Sequence, residues 1–184
     1  STVMMSTLVV GPFYLSRSLA LSSTAVGFAM SVGPIVTALI GVPSGRIADR
    51  LGAARMTVVG LAGIATGSAL LSMLPASLGL PGYLGAIAIM TAGYGLFQTA
   101  NNTVVMSGAG AALRGVTSGM LNLSRNLGLI TGASVMGAAF ALTSRSPDLA
   151  RANAIAVRTG MRGTYALAAM LIVAALVIGA RDKS

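Results

Sequence analysis

Between Arg55 and Arg114 the chain runs for 58 positions without a charged side chain. As one helix that run would measure roughly 87 Å at 1.5 Å per residue, far beyond the ~30 Å hydrocarbon core of a bilayer. It therefore predicts two membrane crossings, with Pro75, Gly79, Pro81 and Gly82 marking the turn between them. Composition extends this reading to the whole chain. Only 8% of the 184 residues are charged and 55% are hydrophobic, whereas a soluble domain carries roughly 25% charged residues.

Apolar run length and helix breakers divide the sequence into six expected helices: about 2–15, 25–45, 56–74, 83–107, 116–142 and 162–180. The first is short for a full crossing. With no Met at Ser1 and no basic segment before the first apolar stretch, a fragment lacking an upstream portion is expected. Ser22, Ser23 and Thr24 supply N-cap chemistry for the second helix, in which Pro34 and Pro43 are kink sites. Ser144 to Met161 is the one polar stretch and reads as an exposed loop with room for a short surface helix. The expected architecture is all-α: one transmembrane domain, residues 1–184, built as a six-helix bundle.

The formal net charge of +9 raises nucleic-acid binding as a function. The Arg residues instead sit mainly at the ends of apolar segments, where they reach lipid headgroups, and stacking aromatics are scarce, so no nucleic-acid partner is expected. Loop charge leaves orientation nearly balanced. Six basic residues (Arg46, Arg50, Arg55, Arg114, Arg181, Lys183) share one side and five (Arg17, Arg145, Arg151, Arg158, Arg162) the other. The chain has no Cys and no His, which removes disulfides, thiol chemistry and the commonest metal ligands. No helix-embedded acid pair or Ser with a recognisable base stands out, so neither an enzyme, a metal site nor a cofactor is expected.

The segment Gly45-Arg-Ile-Ala-Asp49-Arg50-Leu-Gly52-Ala-Ala-Arg55 joins the second and third expected helices. It resembles the signature loop of the major facilitator superfamily, G-x-x-x-D-R-x-G-R-[RK]. Gly45, Asp49, Arg50 and Gly52 match, whereas Ala53 and Ala54 replace the basic pair and Arg55 follows one position later. Physically, Asp49 near the start of the third helix would favour its positive dipole end, and Arg50 and Arg55 offer donors to that carboxylate or to lipid phosphate. Gly45 would permit close helix approach. Two further blocks, Gly93–Asn102 and Gly115–Gly128, look like the late helices of the fourteen-helix drug:proton antiporter family.

That resemblance implies the C-terminal half of a transporter, a multi-pass protein of the plasma membrane and of the inner membrane in a bacterium. It implies a partner N-terminal half, a cavity lined by the first, second, fourth and fifth helices, and alternating access. The substrate class it implies is a small amphipathic or cationic compound, exported with proton coupling. The other reading is a free-standing six-helix protein that pairs with a second copy or anchors a partner, with no transport of its own.

Gln98, Asn101 and Asn102 fall at i, i+3 and i+4 of the fourth helix, so both Asn residues share a side with Gln98. Uncharged polar groups in hydrocarbon need partners, and two readings stand. They form a cavity wall that binds substrate, or interhelical glue at about 0.6 kcal/mol per contact. Asn122 and Arg125 lie three apart on the fifth helix. Arg125 bonds within the bundle, meets a substrate or the other half, or snorkels to headgroups. All three acids of the chain (Asp49, Asp148, Asp182) fall outside the helix interiors, so a membrane-embedded proton carrier would have to come from elsewhere. Small-x-x-x-small spacings at Gly63/Gly67, Gly128/Gly132 and Ala133/Gly137 predict close helix packing.

Overall fold

The computed structural model describes residues 1–144 and 153–181. Among them are six α-helices: α1 (Thr2–Phe13), α2 (Ser23–Leu51), α3 (Ala53–Ser72), α4 (Gly79–Ser107), α5 (Arg114–Ser144) and α6 (Ala154–Arg181). Five helical stretches, those from α2 to α6, are long and apolar enough to cross a membrane. The 12-residue α1 is extended by a π-helical turn over Tyr14–Ser18.

Local chemistry explains where the helices begin and stop. Ser22 accepts from the Ala25 backbone N–H at 3.4 Å, satisfying one of the orphan donors at the start of α2. Gly52, at φ 77°, ends α2 and opens α3, a backbone conformation that costs glycine least. Asn153 Oδ1 accepts from the Ala156 N–H at 2.8 Å and caps α6.

These caps move two boundaries. The signature segment is not a loop: α2 continues without interruption past Pro43 to Leu51, so Gly45, Asp49 and Arg50 are helical and only Gly52 breaks the chain. At about 1.5 Å per residue the 29 residues of α2 exceed the hydrocarbon thickness, and its apolar span covers Ser23–Gly41. The signature residues thus ride on a helical extension beyond that span. Likewise α6 begins at Ala154 rather than at Arg162, so the second half of the stretch read as an exposed loop is helix. Arg145, Asp148 and Arg151 lie outside the described residues, as do Asp182 and Lys183.

The helices pack in series, α2 on α4, α4 on α3, α3 on α6, α6 on α5 and α5 on α1. The tightest seam is between α3 and α4. A Cβ at Gly60 would come within 2.5 Å of the Phe97 backbone nitrogen, and one at Gly67 within 2.5 Å of Met90 Cβ. Gly93 answers from α4, where a Cβ would lie 2.7 Å from the Gly60 carbonyl oxygen. Backbone-to-backbone approach of this kind is the membrane substitute for a hydrophobic driving force. Gly128 and Gly132 face α1 at Ser1 and Thr2, whereas Gly137 meets nothing within 4 Å, so the Ala133/Gly137 spacing marks no such seam. The interior holds Tyr14, Tyr83, Tyr165, Leu15, Leu71 and Met90, all fully buried.

Candidate functional site

The C-terminal half of α4 and the N-terminal half of α5 diverge after the link at 108–113, because α5 packs against α1 and α6 rather than against α4. The gap between them is a cavity of about 510 Å³. Gln98, Asn101 and Asn102 line it from α4, and Asn122 and Arg125 line it from α5. Tyr94 and Phe97 add an aromatic surface, and Ser118, Ser124 and Ser1 add hydroxyls.

Helical geometry accounts for the grouping. Tyr94, Phe97, Gln98, Asn101 and Asn102 follow the 3-4 spacing of one α4 face, and Ser118, Leu121, Asn122 and Arg125 repeat it on α5. None of the three α4 amides forms a hydrogen bond to another helix among the described residues. The polar bonds that do tie helices together lie nearby. Ser44 on α2 shares a hydrogen bond with Thr99 at 3.0 Å, Thr2 donates to the Gly128 carbonyl at 3.0 Å, and Ser1 shares a long contact with Tyr94 Oη at 3.4 Å. Interhelical glue in this region is made by hydroxyls that sequence reasoning passed over.

Arg125 is the one charged side chain on the cavity wall, and no carboxylate lines it among the described residues. It sits 11 positions into α5, roughly 16 Å from the helix start. Among the described residues the wall is made by α4 and α5, with Ser1 beside them.

The signature residues lie apart from the wall but at the same end of the bundle, since the α2–α3 turn and the α4–α5 link are both on that side of alternating helices. Asp49, Arg50, Gly52 and Arg55 are exposed. Two corrections follow. Asp49 belongs to the last turn of α2 rather than to the start of α3. A Cβ on Gly45 would meet nothing within 4 Å, so this glycine permits no close approach within the chain.

Comparison with known proteins agrees with this architecture. The chain is 32% identical over 125 residues to the uncharacterized transporter YebQ of Escherichia coli strain K12, a match covering 68% of this chain and 27% of that protein. It is 25% identical over 133 residues to the multidrug efflux pump LfrA of Mycolicibacterium smegmatis, covering 72% of this chain and 26% of that protein. The chain thus matches a limited part of the length of either relative. The family model of the Major Facilitator Superfamily matches residues 1–133, from α1 into α5 and across the whole cavity wall. With five helices fit to span a membrane, this multi-pass chain belongs to the Major Facilitator Superfamily of transporters.

Proposed function

We propose that the chain forms the C-terminal half of a secondary active transporter that exports small amphipathic or cationic compounds, with the α4–α5 cavity as one wall of its substrate path. The observation that carries this reading is the polar wall itself. Gln98, Asn101, Asn102, Asn122 and Arg125 converge on one cavity and are not consumed by interhelical hydrogen bonds among the described residues. Buried polar groups in a bilayer are costly unless partnered, and a wetted substrate path supplies partners.

The exposed apolar surface supports pairing with a second bundle. On α5, Val116, Met120, Leu123, Leu127 and Ile130 recur at spacings of four and three, each more than half exposed, a seam suited to packing against another helix. α2 is nearly unburied across its apolar window and presents Phe28, Ile35 and Leu39. In this reading the N-terminal half of the transporter covers part of both faces and lipid covers the rest. Alternating access then follows as rocking of the two bundles around the cavity. Because the described wall holds no carboxylate or His, proton coupling is assigned to the other half. The bacterial relatives support an inner-membrane location, with the signature end of the bundle on the cytoplasmic side.

The test is side-chain truncation in the full-length protein. Gln98→Ala and Asn102→Ala should change the relative efflux of two substrates of different polarity at equal membrane abundance. Variants that lose abundance or thermal stability while keeping the same substrate preference would assign these amides to packing instead.

A further inference from the structure

We infer that the cavity wall is an anion site, in which Arg125 receives an acidic group of an amphipathic ligand while Tyr94 and Phe97 hold its apolar part. The inference rests on the transport reading above and narrows its substrate class at this wall from amphipathic or cationic compounds to amphipathic acids.

Three observations lead to it. Arg125 lines the cavity and is exposed to it, and no hydrogen bond joins its guanidinium to another described residue. Among the described residues the wall contains no acid; Asp49 sits at the end of α2, away from it, and Asp148 and Asp182 are outside the described residues. The neutral groups beside it, Asn122 on the same helix face and Gln98 and Asn102 across the gap, bring amide N–H donors.

The chemistry of these groups favours one kind of ligand. A guanidinium has five donors and no acceptor, and it binds a carboxylate through two parallel N–H···O bonds. At roughly 16 Å along α5, an Arg without a counter-oxygen is penalised in the membrane, and a hydrogen-bonded anion offsets part of that penalty. A cation entering this wall would meet like charge without a compensating acid, whereas a carboxylate or phosphate would find a bidentate partner and adjacent amides. Tyr94 and Phe97, one turn apart on α4, extend the site with an apolar surface. The wall therefore fits a molecule with one acidic end and one aromatic or alkyl body.

The experiment uses the purified full-length protein and a matched set of probes: phenylbutyrate, its neutral amide phenylbutyramide and the cationic phenylbutylamine, each measured by equilibrium dialysis. Wild-type protein should hold the acid about tenfold or more above the amide and hold the amine weakest. Arg125→Gln should bring acid and amide to within about twofold, chiefly by weakening the acid. Arg125→Lys, which keeps the charge but not the planar fork, should retain a reduced preference for the acid and controls for folding. No preference for the acid in wild type, or a preference that survives Arg125→Gln, overturns the inference. Flux in proteoliposomes separates this from the parent reading. Protein that prefers the acid but moves none of the probes sinks the transport reading and leaves the anion site standing. Protein that moves amide and amine without preferring the acid does the reverse.

Discussion

The Arg162 guanidinium donates to the Leu74 carbonyl at 3.1 Å, tying the first third of α6 to the segment just beyond the end of α3. The Leu74 carbonyl lies past Ser72, the last residue of α3, so the bond pins the α3–α4 connection to α6 through a charged donor. Arg162 sits two turns inside α6, and its side chain remains partly exposed, so headgroup contact and this bond are compatible.

Removing that bond should cost stability without touching ligand preference. Arg162→Ala is expected to lose about 1.5 kcal/mol, the range for a hydrogen bond from a charged donor, discounted toward its lower end because the side chain is exposed. Arg162→Lys should recover part of the loss. Thermal unfolding in detergent measures both, and an unchanged midpoint for Arg162→Ala would show that the bond contributes nothing.

The α3–α4 seam gives a sharper contrast between glycines. A Cβ at Gly60 would lie 2.5 Å from the Phe97 backbone nitrogen and 2.8 Å from the Gly93 carbonyl oxygen, and backbone cannot rotate away as a side chain would. Gly60→Ala should destabilise by about 1–3 kcal/mol, the cost of overpacking, and should shift α4, which carries the cavity wall. Gly45→Ala, into open space, should leave the unfolding midpoint within about 0.5 kcal/mol of wild type. Equal effects from the two substitutions would refute the packing account.

The contrast also shows what was legible in the sequence. Apolar run length and Pro/Gly breakers located the helical segments because a bilayer imposes a minimum length. The 3-4 spacing of Gln98, Asn101 and Asn102 placed them on one face because side-chain direction follows helical period. Helix ends were less legible. Nothing local distinguishes the helical extension Val42–Leu51 from a polar loop, since Arg and Asp suit either, and only Gly52 forces a break. The start of α6 depended on one Asn cap, flanked by Ala152 and Ala154 between Arg151 and Arg158. Which glycines meet a neighbour is set by tertiary packing, so Gly60 was missed while Gly137 was offered. The separation of α4 from α5 that opens the cavity likewise depends on α5 choosing α1 and α6 as neighbours.

In the core, the hydroxyls of Tyr83, Tyr165 and Thr7 are buried beside one another, near enough to interact but without a well-aligned hydrogen bond among the described residues. An unpartnered hydroxyl in a dry core is a liability, and removing it without changing shape is near neutral or stabilising. Tyr165→Phe should therefore leave the unfolding midpoint unchanged or raise it by the equivalent of up to about 1 kcal/mol. Tyr165→Ala should lose about 3–5 kcal/mol through the cavity it leaves. A drop of several degrees for Tyr165→Phe would mean that the hydroxyl is bonded in the membrane-embedded protein.

Asp49 poses the opposite case, a charge with little structural work to do. It is exposed in the last turn of α2, where a negative charge opposes the dipole of its own helix. Asp49→Asn should accordingly be tolerated, with membrane abundance near wild type and stability within about 0.5 kcal/mol. In the proposed transport cycle, a residue that fold stability does not require, yet that carries the family signature at the same end of the bundle as the cavity, is placed to act when the two halves move. In the full-length protein, Asp49→Asn should lower the efflux rate several-fold while leaving equilibrium binding of ligand intact, because the carboxylate lies outside the cavity wall. Glu at position 49 should restore part of the rate if charge is what matters. Efflux at the wild-type rate in Asp49→Asn would remove Asp49 from the transport cycle, and a parallel loss of ligand binding would move its role to the substrate path.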